Sequence, residues 1–210
     1  MSADKSGSPS CGIYVRIDDF SNMLDAIGQV RKLAFAINRA SGYEKNLAVI
    51  ELAYNDDDQE RINDLIPIIR GQGLVCLLSG TSKSGEADGI IFSHDQTISE
   101  HVLKENEDKI IARNLVGQKN INALTDKNID CIIVDANPTT ISEIVSKTDH
   151  IIVARGTALT NFNCGALSQA GAGLIDVTDY VLNDEKGIAQ ATVNILYALE
   201  LAIQKPKHLN

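Results

Sequence analysis

The triplet Arg155-Gly156-Thr157 follows directly on an apolar run, Ile151 to Ala154. It offers what an anion needs: a guanidinium, a glycine that lets backbone N–H groups come close, and a hydroxyl. Thr178, at the end of the next apolar run, could add a second hydroxyl, so Arg155, Gly156, Thr157 and Thr178 form a candidate phosphate site. The competing reading leaves Arg155 in a structural ion pair with Asp176 or Asp135. Arg113 is another strand-end cation, suited to clamping a diphosphate or carboxylate, or to pairing with Glu51 or Asp135. His94 and Asp135 join Arg113 as candidate catalytic groups, His94 either moving a proton or serving only as a hydrogen-bonded strand-end histidine. Asp18 and Asp95, with Asp135 as a further carboxylate, are the hard oxygen donors that Mg2+ takes.

These residues are far apart in sequence, and what they share is position: each stands at or just after the end of a short apolar run. Eight such runs are strand candidates, at 12–18, 47–53, 74–79, 89–93, 109–115, 130–136, 150–156 and 173–179. Amphipathic stretches alternate with them. Ser21 could cap a helix over about 22–39, Asp57 or Asp58 could open the next, and Thr139 or Thr140 could open one after Pro138. A final helix is expected over 185–204, with Ile188, Val193, Leu196, Leu199 and Ile203 near helical spacing. Strands with no polar face, alternating with helices, predict a closed parallel (β/α)8 TIM barrel. An open doubly wound sheet is the alternative, but the loop after its first strand normally carries glycines and Arg16 to Asn22 has none. Only nine residues, 80–88, separate the third and fourth strands, so the helix between them is expected to be missing or reduced. In a barrel all eight strand ends share one rim, where Arg113, Arg155 and Thr178 would become neighbours.

The composition agrees. The chain has 210 residues, 44% hydrophobic and only 4% aromatic, with no Trp. It reads as one barrel domain over 11–204, between a disordered tail at 1–10 and a short tail at 205–210. A net charge of -9 argues against nucleic acid or an anionic membrane as partner, and leaves room for a small phosphorylated ligand. Part of the last helix could instead serve a homo-oligomer. Cys11, Cys76, Cys131 and Cys164 have no metal-site spacing, and no leader or spanning segment is evident, so a cytoplasmic protein is expected.

Taken in order, the segments "IYVRIDD", "VIELAYN", "GLVCLLSG", "ADGIIFSHD", "KIIARNL", "DCIIVDANPTT" and "IIVARGTALTNFNCGALSQAGAGLIDVTD" resemble those of the thiamine phosphate synthase family and its thiazole tautomerase relatives. The resemblance spans 12–203. It implies a barrel that joins a pyrimidine diphosphate to a thiazole phosphate, with Mg2+ and release of pyrophosphate. Departures fall on the family's active site. Glu51-Leu52-Ala53-Tyr54-Asn55 stands where the family has Gln-Leu-Arg-x-Lys, Ser79-Gly80 stands for its Asn-Asp, and Arg155-Gly156 for its Gly-Gly. The loop after the sixth strand, Asn137 to Thr140, lacks the family's lysine. The alternatives are a non-catalytic barrel binding a phosphate ligand or a partner, and a tautomerase-like enzyme on a phosphorylated heterocycle. On the phosphate-site reading, Arg155→Ala would weaken anion binding and leave the fold intact.

Overall fold

A computed structural model describes residues 11–40, 48–118, 126–157 and 159–204. The tails expected at 1–10 and 205–210 lie outside the described residues. Eight parallel strands close into one barrel in chain order: β1 Gly12–Ile17, β2 Ala48–Ala53, β3 Val75–Ser79, β4 Gly89–Ser93, β5 Ile110–Asn114, β6 Cys131–Asp135, β7 Ile151–Arg155 and β8 Leu174–Asp176. The helices are α1 Met23–Arg39, α2 Gln59–Gly71, α3 Glu100–Glu105, α4 Pro138–Val145, α5 Cys164–Gln169, α6 Thr178–Leu182 and α7 Ile188–Gln204.

Alternation along each strand divides the apolar residues into two layers. Tyr14, Val49, Leu77, Ile91, Ala112, Cys131, Ile133, Val153 and Leu174 fill the barrel interior. Their neighbours, among them Ile13, Val15, Ile50, Leu52, Ile132, Val134, Ile152 and Ile175, face outward into the core beneath the helices. Ile90, Phe92 and Ile111 do the same beneath α3. Carried to the strand ends, this parity sends Arg16, Glu51, Asp135, Arg155 and Asp176 inward and Arg113 outward.

No helix joins β3 to β4. The loop there is fastened instead: the Ser84 hydroxyl donates to Asn106 Oδ1 at 2.7 Å, and Asn106 Nδ2 donates to the Val102 carbonyl at 2.8 Å. Both residues are buried, so each polar group needs the other. Asp88 accepts from the Cys76 N–H at 2.8 Å and pairs with Arg70 at 3.0 Å, tying the foot of β4 to β3 and α2. Cys76, Leu78, Ile90 and Phe92, the outward residues of the two strands, all stay buried.

Two helix starts differ from expectation for one reason, the reach of asparagine. Asn22, not Ser21, caps α1, accepting from the N–H groups of Leu24 and Asp25, while the Ser21 N–H donates to Asp19. Asn137, not a threonine, caps α4, with Pro138 as its first residue. The second helix, α2, opens at Asp58 as expected, without a side-chain cap bond from it, after a 3-10 turn Asp56–Asp58 that Asn55 caps. A short amide meets N–H groups two and three residues on as well as a hydroxyl does. The last helix begins at Ile188 rather than 185, after a turn closed by the Gly187 N–H on the Asp184 carbonyl, with Gly187 at φ +86°.

Candidate functional site

Strand register brings the inward-facing polar residues together. Arg16 lies opposite Glu51 on β1 and β2, Tyr14 opposite Asp176 on β1 and β8, and Asp135 opposite Arg155 on β6 and β7. At the top of the barrel Arg155 Nε donates to Asp176 Oδ2 at 2.6 Å, and its terminal nitrogen donates to Glu51 Oε2 at 2.5 Å. The Tyr14 hydroxyl donates to the same Glu51 oxygen at 2.6 Å, and the Arg155 guanidinium lies 5.2 Å from the Tyr14 ring centre. Thr178 extends the chain of bonds, its hydroxyl donating to Asp176 Oδ1 at 2.6 Å and accepting from the Arg16 N–H at 2.8 Å. Glu51 is 2% exposed and Tyr14 fully buried, so this is an ion-paired plug in the barrel mouth.

The electrostatics follow from burial set against pairing. Burial alone would raise the Glu51 carboxyl, but Arg155 and hydrogen bonds from Ser79, Tyr14 and Arg155 outweigh it and hold the group below its ordinary value. Burial opposes the charge on Arg155, yet Glu51, Tyr14 and Asp176 outweigh that and hold it more firmly protonated than usual. Burial, with the Glu51 charge beside it, pushes the Tyr14 phenol well up. A carboxyl lowered in the folded state adds stability above its unfolded pKa, near 4.5, that is lost as pH falls through the folded value. Thermal midpoints followed from neutral pH into that acid range should therefore fall less steeply for Glu51→Gln than for the parent chain.

Above the plug is a cleft of about 300 Å³ bordered by Arg16, Asp18, Arg155, Thr157, Thr178 and Asp179. Of its charged lining, two arginines face three aspartates (Asp18, Asp176, Asp179), a net of -1 before Glu51 beneath is counted. Among the described residues nothing accepts a hydrogen bond from the Gly156 or Thr157 N–H. Gly156 owes its identity to packing, because a Cβ there would stand 3.0 Å from the Ala136 methyl.

Apart from Asp18 on the border of the cleft, the other expected site residues lie elsewhere. Arg113, 9% exposed, spends its guanidinium on the loop after β4, donating to the carbonyls of Ser93 at 3.0 Å, His94 at 3.4 Å and Gln96 at 2.6 Å. It reaches neither Glu51 nor Asp135. His94 is exposed, as are Asp135, which accepts from the Gly117 N–H at 2.9 Å, and Asp95, whose carboxylate is held by the Ser93 hydroxyl at 2.5 Å. Asp18 lies 3.8 Å from Arg16 Nε. Among the described residues no three His, Cys, Asp or Glu side chains are grouped to hold a metal ion. Reading by segment missed Tyr14 and Arg16 as members of the mouth cluster. Their signal is the polar phase of β1, where Tyr14 and Arg16 alternate with Ile13, Val15 and Ile17.

No protein-family model matches the chain, and no curated protein does. Solved structures do. A thiamine phosphate pyrophosphorylase from Pyrococcus furiosus superposes with a TM-score of 0.72 at 14% identity, over 93% of this chain and 98% of its own. An orotidine 5'-phosphate decarboxylase from Pyrococcus horikoshii OT3 gives 0.65 at 17% identity, over 90% and 99%. A geranylgeranylglyceryl phosphate synthase from Thermoplasma acidophilum, solved with sn-glycerol-1-phosphate, gives 0.65 at 14% identity, over 92% and 95%. At such identities the likeness establishes the (β/α)8 barrel and no single family. No helix among the described residues is long and apolar enough to cross a membrane.

Proposed function

We propose that this chain is a thiamine phosphate synthase-like barrel that has given up diphosphate transfer and kept a cleft for a small ligand. The observation that carries this reading is the position of Arg155, closed between Glu51 and Asp176 at 2.5 and 2.6 Å. Release of pyrophosphate needs cations free to meet the charge as it develops, and a single misplaced donor of that kind costs about 3–4 kcal/mol of barrier. Here Arg155, one of the two inward arginines, is already neutralised by protein carboxylates, Arg16 lies 3.8 Å from both Asp18 and Glu51, and Arg113 is bound to loop carbonyls.

The ligand class rests on a second observation: among the described residues nothing accepts from the Gly156 or Thr157 N–H, and both residues line the cleft with Arg16. Two adjacent N–H groups suit a phosphate ester oxygen, and the names of the structural neighbours include phosphate esters. The acidic lining opposes an anion, so the affinity should be weak.

Two measurements test the reading. With the pyrimidine diphosphate, thiazole phosphate and Mg2+ supplied, mass spectrometry is expected to find no thiamine phosphate, and its appearance would overturn the loss of transfer. Titration with phosphate, pyrophosphate and thiamine phosphate is expected to raise the thermal midpoint only at high ligand concentration. No shift with any of them would remove the phosphate assignment and leave the scaffold alone.

A further inference from the structure

Exposed large apolar side chains gather on the two helices that pack side by side at one flank of the barrel. On α1, Leu24 and Phe35 are 80% and 55% exposed; on α7, Val193, Tyr197 and Leu201 are 40%, 59% and 41% exposed. At about 100° per residue each set falls on one stripe of its helix. Gly28 lies on the α1 stripe, with open space where a Cβ would stand. The opposite faces, Val30, Leu33 and Ile37 on α1 and Ile195, Leu196 and Leu199 on α7, are already buried against the barrel. The outward stripes therefore contribute nothing to the core of this chain.

We propose that this α1/α7 face docks against the same face of a second copy, the pair related by a two-fold axis. The charge pattern selects that occupant. The loop before α1 and its first turn carry Asp18, Asp19 and Asp25, and its second half carries Arg31, Lys32 and Arg39, all exposed. Running one α1 antiparallel to its copy sets the acidic start of each against the basic end of the other, as a self-complementary two-fold contact requires. Beside it the exposed α7 positions, Gln190, Val193, Tyr197 and Leu201, carry no charge. A chain of net charge -9 repels itself over most of its surface, and this flank is where the repulsion is cancelled. Arg39, 4.7 Å from the Phe35 ring centre, keeps a cation against the apolar stripe rather than away from it. A nucleic acid or anionic membrane would meet the acidic half of α1 and be repelled.

Light scattering coupled to size exclusion, run on the full chain over a range of concentration, tests this. The parent is expected at twice its 22.7 kDa chain mass, and Tyr197→Asp with Leu201→Asp at the monomer mass with an unchanged circular dichroism spectrum. Arg31→Glu should weaken association by roughly tenfold, and adding Asp25→Arg in the same chain should restore it. A parent that stays monomeric at every concentration overturns the proposal. So does a dimer indifferent to both sets of variants, or an assembly that forms only with a different protein.

Discussion

Arg155→Met should lower the unfolding free energy by about 3–5 kcal/mol, because it leaves Asp176 without its ion pair and Glu51 with only the longer 3.8 Å contact to Arg16 in the barrel mouth. Glu51 is 2% exposed and Asp176 8%, so neither can recover its hydration by turning toward solvent. The loss is one of compensation, not of volume, since Met keeps most of the side-chain bulk. That account has a second half. In a chain already carrying Glu51→Gln and Asp176→Asn the same Arg155→Met should cost much less, since no buried charge is left unpaired. Urea unfolding of the three variants and the parent measures both. An Arg155→Met protein as stable as the parent would mean that the cluster is hydrated in solution. The result expected here reverses what the phosphate-site reading gives for Arg155→Ala, an intact fold with weaker anion binding, and follows the competing reading in which Arg155 pairs with Asp176.

The second large effect is Gly89→Ala. A Cβ on Gly89 would stand 2.2 Å from the Ile110 carbonyl oxygen and 2.7 Å from the Ile110 Cβ, well inside contact distance. Gly89 opens β4, paired with Leu77 on one side and Ile110 on the other. In a closed barrel neither strand can withdraw without stretching the next, so relief has to come from the backbone around the ring. The cost is placed at roughly 3 kcal/mol, the upper part of the range for overpacked cores. Gly73→Ala is a useful control: φ is +77° there but nothing lies within 4 Å, so the cost should be the smaller one of backbone strain alone. Equal midpoints for Gly89→Ala and the parent would show that the β4–β5 contact is looser than the geometry requires.

Both effects come from closing the ring, and the candidate site shares that origin. Arg155 could have met an anion from its place at the end of β7. It meets Glu51 from β2 and Asp176 from β8 instead.

The strands and their closure were legible in the residues themselves. Eight apolar runs, of which the first alone alternates with Tyr14 and Arg16, are too apolar to be solvent-facing, and the short Gly80 to Asp88 link left no room for a helix. These are local properties, fixed by the side chains present. The rim was legible as a set of positions, since parallel strands must end together. Which way each rim residue points was not. Alternation within a strand gives two faces, but only pairing to the neighbours and a helix outside decide which face is the interior. That decision turned Arg113 outward onto the loop after β4, turned Tyr14 and Arg16 inward, and gave Arg155 two carboxylates 104 and 21 residues away. The Asp176 partner was one the sequence offered, since both residues end neighbouring strands, but the pairing with Glu51 had no trace in local sequence. It exists because ring closure brings the first, second, seventh and eighth strands within hydrogen-bonding distance at one end.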